Sequence, residues 1–503
     1  MTTIKRQPKV SAAEGVDSLV PGGNGRVSTA ARTGATPAGL ASPRLSGQAL
    51  TPWLLVAMTG ILFAGALFGY DQGVISGALT GIKKTFLLTP LLVEVVTSWV
   101  TLGAMFGALA GGELADQFGR RNAILFSGVL FTLGAAVQAF APATAVLVCG
   151  RLIVGIAVGV IAVAAPLYGA ELAPRTLRGR IVSGYQLAIT IGIFAAYLVN
   201  DWLSSASSWR LMLGSSAVPG VLLLAVAIAA PESPRWLMKM QRRPEAKLQM
   251  RKIQPEIDAD HALDLVDKAL REGTESAAWS EVFHSEWRRP LLIGIGLAVF
   301  QQITGINAII YYANQIFASA GFALSSQATL TTWAIGGVNV AATFIALAFV
   351  DRWGRRKLLL GGLFGMGVSL AVLGVAFRFI VPAAPGAAAA APSLAGIVTL
   401  CGLIAFIISF AASIGPVTWT VITEIFPGRI RGRAVSVCTA FNWLSAFAVS
   451  QCFLSMVDAA GSSLTFGLFA LFCVIGWIWI FLQVPETKGR SLEEIQQTWN
   501  TKS

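Results

Sequence analysis

Long apolar stretches alternate with short polar, basic ones along this chain, and that alternation sets its architecture. Twelve apolar runs fall at about 53–76, 91–114, 122–141, 144–167, 181–201, 209–230, 290–313, 327–350, 358–381, 394–421, 434–457 and 462–484. Each is long enough to cross a bilayer, which takes about 20 helical residues. Helices are expected in all of them, because a spanning segment must satisfy its own backbone hydrogen bonds. One large polar insertion, 231–289, separates the sixth run from the seventh. Within it, residues 244–253 and 261–270 space their apolar side chains as short amphipathic helices do. Residues 1–52 read as a disordered, Gly/Ala/Ser-rich basic tail, and 382–392 as a low-complexity loop.

Composition agrees: of 503 residues, 55% are hydrophobic and only 12% are charged, against about 25% charged in a soluble domain. A net charge of +12 would admit a nucleic-acid partner, but the basic residues lie in the short segments between apolar runs. If the N-terminus is cytoplasmic, 32 of the 37 Lys and Arg residues face inward, leaving Lys83, Lys84, Arg151, Arg210 and Arg378. That asymmetry predicts a multi-pass protein of the cell membrane with both termini in the cytoplasm and no nucleic-acid partner. The five cysteines sit in apolar runs and the two histidines in the polar insertion, so neither a disulfide framework nor a metal site is expected. Without a phosphate-binding glycine loop or a nucleophile–His arrangement, neither an enzyme nor a cofactor is expected.

Asp71 stands out, as the only charged residue between Arg44 and Lys83. A carboxylate deep in a span costs roughly 2.5–3.5 kcal/mol on the insertion scale, which points to a function. Arg151 reads as the other buried charge. Asp71 lies about 18 residues into the first span and Arg151 about eight into the fourth, which runs the opposite way. At ~1.5 Å per residue both reach the outer half of the membrane and can pair. A nearby arginine lowers a carboxyl pKa and burial raises it, so such an acid can remain titratable.

The chain also repeats itself. Asp116-Gln-Phe-Gly-Arg-Arg121 recurs as Asp351-Arg-Trp-Gly-Arg-Arg356, Glu171 to Arg180 as Glu424 to Arg433, and Pro231-Glu-Ser-Pro-Arg235 as Pro485-Glu-Thr-Lys-Gly489. Three motifs repeated in one order imply two parallel six-helix halves with a site between them. The glycines at 103, 107 and 111, and at 155 and 159, are spaced for close helix packing. Gly305 and Gly415-Pro416 are placed to loosen their helices.

With these repeats, and with Pro-Glu-Ser-Pro-Arg-Trp236, Gln301-Gln-Ile-Thr-Gly-Ile-Asn307, Tyr311-Tyr312, Gly415-Pro-Val-Thr-Trp419 and Pro-Glu-Thr-Lys-Gly489, the chain resembles the sugar porter family of the major facilitator superfamily from Trp53 to about Ile495. The resemblance implies an all-α integral membrane fold of twelve helices, in halves 53–230 and 290–484, with short cytoplasmic helices in 231–289 and a cytoplasmic tail from 485. It implies an inner salt-bridge gate built from Asp116, Arg120, Arg121, Glu171, Arg178, Asp351, Arg355, Arg356, Glu424 and Arg431. Gln186, Gln301, Gln302, Asn307, Asn339 and Asn442 become the expected sugar ligands, suited because an amide both donates and accepts without charge. Trp419 becomes the stacking or gating ring, with Phe68, Tyr311 and Tyr312 at the outer side. Relatives often carry a further Asn where this chain has Ala446, which loosens inference of the sugar. Proton-coupled members of the family carry Asp at the position of Asp71. The expectation is therefore a monomer in lipid that imports a monosaccharide, a hexose first, in symport with protons by alternating access. Its alternatives are a facilitative uniporter, an inositol or polyol porter, and, from a different class, a sensor that signals without transport.

Overall fold

The computed structural model describes residues 51–173, 178–204, 208–272, 279–322, 327–380, 393–426 and 430–488. The tail 1–50, the loop 381–392 and the segment from 489, each assigned a character from sequence above, lie outside the described residues. So do the side chains of Arg178 and Asp351. Helices α1 to α6 are Pro52–Phe86, Pro90–Phe118, Arg120–Ala139, Thr144–Leu172, Arg178–Ser204 and Trp209–Ala229. In the second half, α7 runs in series through Arg288–Ile303, Ile306–Tyr311 and Ala313–Ser319. It is followed by α8, Gln327–Trp353, α9, Arg355–Ala376, and α10, Leu394–Ile425. The final helical stretch, Arg431–Gln483, divides into α11 and α12 at Gly461, whose φ is +80°. Among the described residues there is no strand.

Local chemistry accounts for the ends and the breaks. Thr51 and Thr89 accept the N–H groups of Leu54 and Leu92, and a proline opens each helix, where its missing N–H costs nothing. Past the expected end near 76, α1 continues to Phe86 and stops at a left-handed Leu87. A helix can propagate beyond the apolar stretch that anchors it, because each added residue contributes its own backbone bond. Gly305 breaks α7 with φ +92°, and a π-turn over Phe410–Ile414 precedes Pro416 in α10. Both loosened sites fall where the sequence placed them.

Glycine carries the tightest packing. A Cβ on Gly107 would lie 2.2 Å from the carbonyl oxygen of Ile156, and one on Gly155 2.0 Å from that of Val100, so α2 and α4 touch backbone to backbone. The halves meet along α2 with α11 and α5 with α8, and through the broken part of α7 against α1. The helices Arg243–Ile253 and Ala259–Glu272 form where amphipathic spacing predicted them, joined by Pro234–Lys239. Trp236, Leu237, Met238, Ala246 and Leu263 give them a small core of their own. Thr51 ties them to α1 by donating its hydroxyl to the Ile253 carbonyl at 2.9 Å. They lie on the face that carries the two Asp-x-x-Gly-Arg-Arg turns, called the basic face below.

Candidate functional site

Asp71 and Arg151 meet. Nη1 of Arg151 donates to Oδ1 of Asp71 at 2.9 Å and Nε donates to the Val96 carbonyl at 3.2 Å. The two residues are 3% and 0% exposed. Removing one member of such a pair strands a buried charge, typically at a cost of ~3–5 kcal/mol. Nη2 of Arg151 has no partner among the described residues. Tyr311, on the segment of α7 beyond the Gly305 break, hydrogen-bonds the Gln72 side chain and lies within the field of both charges. The pair therefore touches α1, α2, α4 and, through Gln72, α7.

Four of the six expected sugar ligands form one chain of amides. Gln301 donates both hydrogens of Nε2, to the carbonyls of Ile414 and Gly415 at 3.1 and 2.9 Å. Its Oε1 accepts from Nδ2 of Asn442 at 2.7 Å, and the other Nδ2 hydrogen goes to the Ala298 carbonyl at 2.9 Å. Oδ1 of Asn442 accepts from Nε2 of Gln302 at 3.0 Å, and Oε1 of Gln302 accepts from Nδ2 of Asn307 at 2.9 Å. Each amide offers two donor hydrogens and an acceptor oxygen. Among the described residues, Gln301 and Asn442 have spent their donors on protein, whereas Gln302 and Asn307 each keep a hydrogen and Asn307 keeps its oxygen. The π-turn and Gly415-Pro416 place the carbonyls that Gln301 holds, so the broken part of α10 orients the network. The other two amides stand apart: Gln186 is half-buried on α5 and Asn339 buried on α8, and no side-chain bond among the described residues joins either to the chain. Trp419 is half-buried on α10.

The aromatics lie at the junction of the halves. Phe68 of α1 meets Trp443 of α11 edge-on, ring centres 5.2 Å apart. Tyr312 stacks on Phe453 at 5.1 Å and donates its hydroxyl to the Ser450 carbonyl at 3.0 Å. Here the structure corrects the count of buried charges. Glu94, at the start of α2, is 0% exposed. From sequence, only Asp71 and Arg151 read as buried charges; Glu94 is buried because α11 packs over it.

On the basic face, Arg120 reaches Asp116 at 2.9 Å and Glu171 at 3.0 Å, Lys239 reaches Asp116 at 3.0 Å, and Arg355 reaches Glu424 at 3.1 Å. The pairs of Arg120 and Arg355 each join elements of one half, and Lys239 ties the helix Pro234–Lys239 of the central insertion to α2. Arg121 and Arg356 depart from the expected acid pairing: their guanidiniums donate to carbonyls of Ala227 and Ile228, and of Phe481. Those carbonyls belong to the last turns of α6 and α12, where acceptors lack intrahelical partners. Arg431 donates to the Phe426 carbonyl at 3.0 Å.

The sequence reading missed Glu232 and Glu486, although it found the repeat that contains them. Glu232 accepts the N–H groups of Arg120 and Arg121 at 3.1 and 3.2 Å, and Glu486 those of Arg355 and Arg356 at 3.0 and 3.2 Å. They cap α3 and α9, whose N-cap positions are Gly119 and Gly354 and offer no side chain. Burial pushes the Glu232 carboxyl above its ordinary range, against the N–H groups donated to it and the nearby Arg120 charge. The neighbouring hydroxyls repeat the symmetry: Ser233 donates to Glu171 and Thr487 to Glu424. A Pro-Glu-Ser/Thr motif 115 residues after Asp116 and 134 residues after Asp351, following each Asp-x-x-Gly-Arg-Arg turn, was the available signal.

Two parallel helical halves with a polar, broken-helix centre between them define a membrane transporter. The model of the family described as "Sugar (and other) transporter" matches residues 57–499, and the chain belongs to that family. It is 40% identical over 447 residues to the glucose transporter GlcP of Staphylococcus epidermidis, covering 88% of this chain and 96% of that one. It is 37% identical over 437 residues to the galactose-proton symporter of Escherichia coli, covering 86% and 92%. Among solved structures, the partially occluded inward-open conformation of the xylose transporter XylE from E. coli matches with a TM-score of 0.76 at 29% identity, covering 87% of this chain and 99% of that one.

Proposed function

We propose that this protein imports a monosaccharide, a hexose, in symport with protons by alternating access. The observation that carries the reading is the buried Asp71–Arg151 pair at 2.9 Å, on helices that frame the amide chain. Gln302 and Asn307 are the primary hydroxyl ligands, because they alone in that chain keep uncommitted donors; Gln301 and Asn442 orient them. Trp419 covers an apolar sugar face, and Gln186 and Asn339 approach from α5 and α8. The basic face lies in the cytoplasm, in keeping with the distribution of Lys and Arg. Protonation of Asp71 releases Arg151, and Tyr311 and Gln72 pass that change to the mobile part of α7. The ion pairs within each half keep its inner helix ends rigid, so that the halves rock as bodies. Similarity to a protein named as a galactose-proton symporter supports the coupling ion.

The test is uptake into proteoliposomes with an imposed pH gradient and a panel of hexoses, pentoses and polyols. Sugar-dependent proton inflow with hexose preference is expected. Uptake that ignores the gradient would make the protein a uniporter, and preference for a polyol would reassign the substrate.

A further inference from the structure

Glu94 has no place in the mechanism above, yet it is fully buried. Its partners belong to the other half of the protein. Oε1 accepts the backbone N–H of Ser455 at 2.7 Å and Oε2 accepts the Ser455 hydroxyl at 2.7 Å. One turn along α2, Ser98 donates to Oε1 of Gln451 at 2.7 Å, one turn before Ser455 on α11. Tyr312 fills the same junction, with its hydroxyl on the Ser450 carbonyl, close to Thr97 and within the field of Glu94. All these contacts lie toward the end of the bundle opposite the basic face. Among the described residues no ion pair to Glu94 occurs, so neutral donors of α11 alone hold its charge.

We infer that Glu94 is a latch: it positions α2 against α11 and holds the face opposite the basic face closed. Separation of the halves at that face must break both bonds to Ser455. Such bonds to a carboxylate are about twice as strong as neutral ones. Water solvates the freed carboxylate well, so the latch can reopen in every cycle, which an apolar contact of the same area would resist. The inference rests on the alternating-access reading, in which this face is the extracellular one.

The test reads the accessibility of a cysteine on α1 where that helix meets α7 of the other half. Ser76 is 2% exposed, its hydroxyl has no partner among the described residues, and its carbonyl accepts from Asn314 of α7 at 3.2 Å, so Ser76→Cys is shielded while the face is closed. The background replaces the exposed Cys149, Cys401 and Cys452 by Ser. An impermeant thiol reagent is applied to intact cells and, separately, to inside-out vesicles. Glu94→Ala is expected to raise labelling about tenfold from one side only. Ser455→Ala, which removes one of the two bonds, and Glu94→Gln, which removes the charge, are expected to raise it severalfold. Labelling within twofold of the parent in all three variants would overturn the latch. If Glu94→Ala does not fold, Ser455→Ala and Glu94→Gln decide on the same criterion. A rise seen only from the inside of the cell would keep the latch and overturn the orientation.

Discussion

Asn442→Ala distinguishes a positioning amide from a ligand. Asn442 has no uncommitted hydrogen: it donates to Ala298 and Gln301 and accepts from Gln302, at 2.9, 2.7 and 3.0 Å. Its loss strands Oε1 of Gln301 and Nε2 of Gln302, in residues 2% and 8% exposed. An orphaned buried polar atom costs about 1–3 kcal/mol, whereas interhelical bonds in membranes average about 0.6 kcal/mol. Three bonds at that average amount to about 2 kcal/mol and two orphans to as much as about 6, so the loss is bracketed at roughly 2–6 kcal/mol, shared between fold stability and the orientation of Gln302. If half appears in binding, sugar affinity falls about five- to 150-fold, since ~1.4 kcal/mol is tenfold. Equilibrium binding to purified protein measures this, with Gln302→Ala and the double variant closing a cycle. A coupling energy above ~0.5 kcal/mol between the two is expected, because Asn442 acts through Gln302. Unchanged affinity in Asn442→Ala, or strict additivity with Gln302→Ala, would refute the positioning role.

Gly155→Ala drives a Cβ toward the Val100 carbonyl 2.0 Å away, and overpacking of this kind costs ~1–3 kcal/mol; a lower thermal midpoint in detergent with residual sugar binding is expected. Glu232→Ala and Glu486→Ala each remove a helix cap worth ~0.5–2 kcal/mol, so both should lower thermal stability while sugar affinity, read at the centre of the bundle, stays unchanged. Gly305→Ala meets both φ +92° and a Phe469 ring atom 2.6 Å away; transport rate should fall more than sugar affinity, and counterflow kinetics separate the two.

Much of this was readable from the chain because the relevant signals are periodic or repeated. A lipid solvent forces helices wherever about 20 apolar residues run together, so the spans and the α2–α4 glycines needed no tertiary information. The meeting of Asp71 and Arg151 was also legible, since depth along two antiparallel helices is arithmetic on residue number. What escaped depends on which surface lies opposite. Glu94 was not singled out in the chain, because its burial requires α11 to pack over it. Arg121 and Arg356 read as partners for acids, but the open carbonyls at the ends of α6 and α12 lie nearer. Glu232 and Glu486 were seen as a motif without a task, because capping α3 and α9 requires a fold that brings residues more than a hundred positions apart together. Of the six amides expected from the motifs, the structure joins four into one chain and leaves Gln186 and Asn339 apart; only donor accounting divided Gln301 and Asn442 from Gln302 and Asn307.

The proposed coupling of sugar movement to protons through Asp71 is tested most directly by Asp71→Asn, reconstituted in proteoliposomes, which keeps the shape and removes the charge. Uphill hexose accumulation under an imposed pH gradient is expected to disappear while sugar counterflow continues. Accumulation retained by Asp71→Asn would contradict the coupling role.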